Sequence, residues 1–156
     1  MGESGRIVVM DMLIGEYRNT LDEKGRILFP SKLRSVLQEN ELVITQGLEH
    51  CLTLFTIEEW QSLNEKIVGS ASLFSAQKSL VMRRFVAPAQ KIEFDKAGRL
   101  SIPQNLREYA ALSGECVVLG MNKYMELWDA ESYRAYLERT ESSFLQAAES
   151  LNDILL

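Results

Sequence analysis

The chain has 156 residues, of which 46% are apolar and 25% charged; this suits one soluble globular domain and excludes a collagen-like or disordered chain. Seventeen basic residues (Lys+Arg 17) against 22 acidic ones leave a net charge of -5, which argues against indiscriminate attraction to nucleic acid but does not say where the cations point. Cys51, Cys116 and His50, with no CxxC pair, give no zinc ligand set, so no metal or other cofactor is expected.

In chain order, Ile7-Val8-Val9-Met10 is too short for a signal segment or a membrane span, and no longer apolar run follows. Leu13 to Leu21 reads as a strand. It enters Asp22-Glu23-Lys24-Gly25-Arg26-Ile27-Leu28-Phe29-Pro30, in which Gly25 suits a tight turn at positive φ and Pro30 the first turn of a helix carrying Leu33, Val36 and Leu37. Asn40 stands where a left-handed helix cap is wanted. Two short strands follow, Leu42 to Thr45 and Cys51 to Phe55, with Gly47 between them. Thr56 to Glu59 then has capping-box spacing and opens a helix carrying Trp60, Leu63 and Ile67.

After a Gly69-Ser70-Ala71-Ser72 break and a linking helix with Leu73, Phe74, Leu80 and Val81, the pattern repeats. Ala89 to Phe94 is a strand, and Asp95-Lys96-Ala97-Gly98-Arg99-Leu100-Ser101-Ile102-Pro103 restates the first motif 73 residues on (95 minus 22). Gly98 and Pro103 take the parts of Gly25 and Pro30. Leu106, Tyr109 and Ala110 form the helical face, Gly114 the cap, Cys116 to Leu119 and Met125 to Trp128 the strands around Gly120, and Asp129 caps a helix with Tyr133, Tyr136 and Leu137. The last stretch, with Phe144, Leu145, Ala148 and Leu151, has an apolar helical face that either folds back or joins a neighbour. Strands this few and short need a partner face, so two interlocked halves closing a small barrel are expected. Cys51 and Cys116 are expected to be reduced packing residues.

The duplicated Asp-x-x-Gly-Arg-x-x-x-Pro, with the matching residues that run from 13 to 137, resembles the MraZ family of bacterial transcriptional regulators, related to AbrB and MazE. The resemblance implies a mainly β fold with helices, a double-split, swapped-hairpin barrel built from two repeats. The divisions expected are an N-terminal extension over 1–12, repeats over 13–69 and 88–139, a linking helix over 70–87 and a C-terminal helix over 140–156. Met1 to Asp11 reads as an extension, or as a translation start placed too far upstream. The resemblance further implies a homo-oligomeric ring, an octamer or dodecamer, that binds direct repeats in double-stranded promoter DNA. The target implied is the division and cell-wall gene cluster, usually repressed, in the cytoplasm and at the nucleoid.

The family's Asp-x-x-x-Arg signature falls on Asp22 with Arg26 and on Asp95 with Arg99. On that basis Arg26 and Arg99 are candidate base readers, since a guanidinium can donate two hydrogen bonds to guanine in the major groove. Lys24, Lys32, Arg34, Lys96 and Arg107 are candidate phosphate or supporting contacts, and Asp22, Gly25, Pro30, Asp95, Gly98 and Pro103 shape the motifs. Other readings stand beside these: each signature arginine pairs with its own aspartate and pins the barrel, Arg34 and Arg107 cover a solvated helix face, and Arg83-Arg84 is a solvated or interface pair. Lys24 becomes Ala97 in the second copy, so the first half is the more basic.

No dinucleotide fingerprint, P-loop or nucleophile elbow is present, and His50 beside an apolar strand is a packing residue, so neither an enzyme nor a small-molecule substrate is expected. The competing reading is an AbrB/MazE-like protein-interaction module, an antitoxin-type partner, using the C-terminal helix.

Overall fold

A computed structural model of the chain describes residues 12–70 and 75–155. The extension Met1 to Asp11 and, in the linker, Ala71 to Phe74 lie outside the described residues. The strands are β1 (Leu13–Thr20), β2 (Arg26–Leu28), β3 (Glu41–Gln46) and β4 (Leu52–Phe55) in the first half, then β5 (Gln90–Glu93), β6 (Arg99–Ser101), β7 (Glu115–Asn122) and β8 (Met125–Asp129) in the second. The helices are α1 (Ser31–Arg34), α2 (Ile57–Val68), α3 (Ser75–Val81), α4 (Gln104–Tyr109), α5 (Ala130–Arg139), α6 (Glu141–Ser150) and α7 (Asn152–Leu155); a π-helical turn, Met82–Val86, continues α3.

The halves exchange strands. β1 of the first pairs antiparallel with β7 of the second, from Leu13 opposite Asn122 to Thr20 opposite Glu115. Reciprocally, β5 of the second pairs with β3 of the first, from Glu41 opposite Glu93 to Ile44 opposite Gln90. β4 and β8 meet in the middle, Leu52 opposite Leu127 and Leu54 opposite Met125. The result is a six-stranded sheet in the order β1-β7-β8-β4-β3-β5 and a separate two-stranded β2-β6 ribbon. The backbone hydrogen bonds Leu21 N–H to Gly114 O (2.9 Å) and Phe94 N–H to Asn40 O (3.0 Å) extend each exchanged strand in the same way.

The expected interlocking is therefore present, as a split barrel: the described strands form no continuous closed ring of pairing. Each ribbon strand has only three residues and runs within two residues of a proline, which has no N–H to donate to a further ladder. The core lies between the ribbon and the sheet, with Ile27 and Leu33 from the first half against Leu100, Ile102 and Leu106 from the second, all 2% exposed or less. Each such side chain contributes about 1.5–3 kcal/mol by leaving water. Phe29 and Phe94 meet edge to face there, their centroids 5.4 Å apart.

Local expectations hold at the helix starts. Thr56 accepts the Glu59 N–H at 3.1 Å and Asp129 accepts the Ser132 N–H at 3.2 Å, so both caps satisfy a first-turn donor. Pro30 and Pro103 stand one residue earlier than expected, as the N-cap residues of α1 and α4. Asn40 and Gly114 are not left-handed caps: α1 ends at Arg34 with an αR residue, and after α4 the positive φ, 53°, falls on Ala111. Gly120 lies inside β7 rather than in a connection, because that strand runs to Asn122; β1 passes so close that a Cβ there would meet the backbone of Leu13 and Ile14. Asn122, at φ 72°, makes the turn instead.

Cys51 and Cys116 are buried and free, as expected. Burial pushes their thiols up, to about 12 and about 11. His50 is exposed, and its ring packs on Tyr109 with centroids 5.0 Å apart. α5 packs Tyr133 and Tyr136 onto Trp128, whereas α6 buries no side chain and leaves Phe144 63% exposed. Among the described residues no helix is long and apolar enough to cross a membrane.

Candidate nucleic-acid interface

The ribbon brings the two copies of the motif side by side. Ile27 lies opposite Leu100, Arg26 opposite Ser101, and Leu28 opposite Arg99. Because successive strand residues alternate faces, Ile27 and Leu100 point into the core, and Arg26, Leu28, Arg99 and Ser101 share the outer face. Exchange of the halves carries Arg26 onto Arg99, so the outer face holds a symmetric pair of arginines.

Each arginine is fixed by its own aspartate. Asp22 Oδ1 accepts the N–H groups of Lys24 and Arg26, both at 2.9 Å, and Oδ2 accepts the Arg26 Nε–H at 2.8 Å. Asp95 repeats the pattern, with Oδ1 accepting from Ala97 N and Arg99 N at 2.9 Å and Oδ2 from Arg99 Nε at 2.9 Å. The Arg26 backbone N–H, and then its side chain, hold the Asp22 carboxyl below the usual carboxylate range; Arg99 does the same for Asp95. The replacement of Lys24 by Ala97 leaves this geometry unchanged, because the turn uses the backbone N–H of that position and not its side chain.

Pairing with the aspartate and availability for a ligand are thus compatible. Only Nε is engaged, and among the described residues neither Arg26 nor Arg99 makes a hydrogen bond through its terminal nitrogens. A guanidinium held at Nε with its two terminal nitrogens open can still donate end-on to a planar acceptor pair.

The turns themselves depend on glycine. Gly25 and Gly98 have φ of 79° and 85°, and their N–H groups donate to Asp22 O and Asp95 O, both at 3.0 Å. Each then accepts a bond from the opposite half: Ile102 N–H to Gly25 O at 2.9 Å, and Phe29 N–H to Gly98 O at 3.1 Å.

Of the seven basic residues singled out from sequence, Lys24, Arg26, Lys96 and Arg99 lie in the two turns and the ribbon strands that follow them. Lys24 and Lys96 are exposed on the turns and Lys32 on α1. Arg34 is exposed and Arg107 half-buried, and both side chains reach beyond their own helix. The Arg107 guanidinium lies against Gly25 and that of Arg34 against Gly98, each on the other half's turn. The sequence motif does not single out Leu28, 47% exposed between the arginines, or Asn19, whose Nδ2 donates to Leu28 O at 2.9 Å; strict alternation along β2 would mark Leu28. Arg83 and Arg84 are exposed on the π-helical turn. Among the described residues no cluster of three or more His, Cys, Asp or Glu side chains could hold a metal ion.

A swapped-strand split barrel of two internal repeats, with an oriented arginine pair on its outer ribbon, is the class that fold and site define. The family described as "MraZ protein, putative antitoxin-like" matches the chain twice, over residues 12–84 and 85–154. A protein of Treponema denticola called "Transcriptional regulator MraZ" is 53% identical over 142 residues, covering 91% of this chain and 99% of that protein. Proteins of the same name from two strains of Treponema pallidum are 45% identical over 142 residues, covering 91% of this chain and 95% of theirs. The chain belongs to the MraZ family, a family of transcriptional regulators and not of enzymes.

Proposed function

We propose that this chain is a transcriptional regulator that binds promoter DNA through the β2-β6 ribbon, with Arg26 and Arg99 reading base edges in the major groove. A two-stranded ribbon fits that groove. The observation that carries the reading is the aspartate clamp: each arginine is held at Nε and its backbone N–H, with its terminal nitrogens left to donate. Lys24, Lys32 and Lys96 neutralise phosphate, and the first turn, which keeps Lys24, contributes the larger share of affinity. The net charge of -5 then restricts binding to this one edge.

The natural target is a set of direct repeats upstream of the division and cell-wall gene cluster, with repression as the outcome and the nucleoid as the place. Subunits assembled head to tail in a ring present successive ribbons in one direction, which suits direct repeats spaced near one helical turn, about 10 base pairs. Several weak contacts then add up through avidity. A mobility-shift titration on the chain's own upstream region, at two salt concentrations and against scrambled DNA, tests this. Specific binding that weakens steeply with salt supports it; equal binding to both DNAs contradicts it.

A second reading, a protein-interaction module, draws on α6, whose Phe144 and Leu145 are 63% and 55% exposed. Deletion of residues 140–156 separates the two. Loss of a protein partner with DNA binding intact favours the module, and loss of the oligomer together with DNA affinity favours the ring.

A further inference from the structure

Arg34 and Arg107 sit at equivalent places in the two repeats, each one position after a fully buried leucine, Leu33 or Leu106. Neither has a carboxylate partner among the described residues. Both guanidiniums instead cross the pseudo-two-fold axis. That of Arg107 occupies the space a Cβ at Gly25 would fill, and its Nη1 donates to Ile102 O at 3.0 Å. Ile102 in turn donates its N–H to Gly25 O. Arg107 therefore joins the two sides of the backbone tie between the first turn and the second half. Arg34 occupies the corresponding space at Gly98 and stacks over Phe94, 5.5 Å from the ring centroid.

We propose that Arg107 and Arg34 are crossed positioning residues: each guanidinium, supplied by one repeat, forms the floor of the arginine-bearing turn of the other. A flat guanidinium can lie against a glycine Cα while it hydrogen-bonds at its rim, as Arg107 does, or stacks on an aromatic ring, as Arg34 does; an ammonium cannot. The turn is otherwise held by one carboxylate and three backbone bonds, so loss of the floor frees Gly25, the residue with the widest choice of conformations. The first turn's shape then depends on α4 of the second repeat, and the second turn's on α1 of the first. Arg107 thereby acts on DNA through Arg26, and Arg34 through Arg99. This step rests on the proposed DNA-reading role of the turns, but the crossed support itself is a property of the free protein.

The test is hydrogen–deuterium exchange on the DNA-free protein, followed by DNA affinity measurements on the same variants. Arg107→Ala is expected to speed exchange at Lys24, Gly25 and Arg26 while leaving Ala97, Gly98 and Arg99 protected; Arg34→Ala should give the mirror image. General destabilisation would speed both turns, and that outcome, loss of protection at the variant's own turn instead of the opposite one, or no change in either turn overturns the proposal. On DNA, Arg107→Ala should cost about as much as Arg26→Ala, about tenfold, and the double variant little more than either, whereas Arg107→Ala with Arg99→Ala should be additive. Arg107→Lys restores the charge of a phosphate contact but not the flat floor, so it should fail to rescue; full rescue overturns the proposal. Crossed exchange with no DNA binding by the wild type would sink the DNA-reading role and leave the positioning role standing.

Discussion

Ile27 lies directly opposite Leu100 where β2 and β6 pair, each the middle residue of its three-residue strand, 1% and 0% exposed. The pair marks the axis about which the two repeats exchange, and its burial turns Arg26 and Arg99 outward together. Leu100→Ala empties a site at the centre of the core and is expected to cost about 2–5 kcal/mol in denaturant unfolding, as is Ile27→Ala. A much smaller cost for one than for the other would show that the two halves do not share the axis equally.

Gly25→Ala and Gly98→Ala each force a side chain into positive φ and onto a guanidinium. A loss of about 1–3 kcal/mol in unfolding is expected for each. Gly114→Ala is the matched control, since a Cβ there meets nothing within 4 Å; it should change stability by less than about 0.5 kcal/mol.

Asp22 and Asp95 titrate below the usual carboxylate range because the arginine backbone N–H, above all, favours the charged form. A carboxyl depressed in the folded state contributes stability above its unfolded pKa and loses it as pH falls through the lower folded value. The melting temperature should therefore fall as the pH drops below about 4. Asp22→Asn, which cannot accept the Arg26 Nε–H with its amide nitrogen, should flatten part of that fall. An unchanged acid limb would separate the clamp from stability.

Cys51 and Cys116, with thiols pushed up to about 12 and about 11 by burial, should resist a thiol reagent at neutral pH and react at once in denaturant. Fast labelling of the native protein would contradict their placement in the core.

Much of the architecture is legible in the chain because the repeat carries it. The motif, the helix caps at Thr56 and Asp129 and the strand positions follow from local chemistry, which depends on neighbours in sequence. The exchange of β1 and β5 between halves does not, since either half offers the same strands; its expectation rests on the need of short strands for a partner face and on the family resemblance. Arg107 illustrates the limit: nothing near it in sequence points to Gly25, and a helical arginine with no acid three or four residues away reads as solvated. The left-handed position falls on Ala111 and not on Gly114, although glycine is the usual signal for it, because tertiary packing can impose that conformation on alanine. For Arg26, the two readings taken from sequence, pinned by Asp22 or open to a ligand, prove compatible at different nitrogens of one side chain.

The decisive experiment is a binding titration of wild type, Arg26→Ala and Arg99→Ala on upstream promoter DNA, with the mass in solution recorded for each protein. The expected result is specific wild-type binding, a loss of about 1–3 kcal/mol, or roughly tenfold or more, for Arg26→Ala, a smaller loss for Arg99→Ala, and an unchanged mass. Unchanged affinity in both variants would reduce the aspartate-held arginines to scaffold and contradict the DNA-reading ribbon.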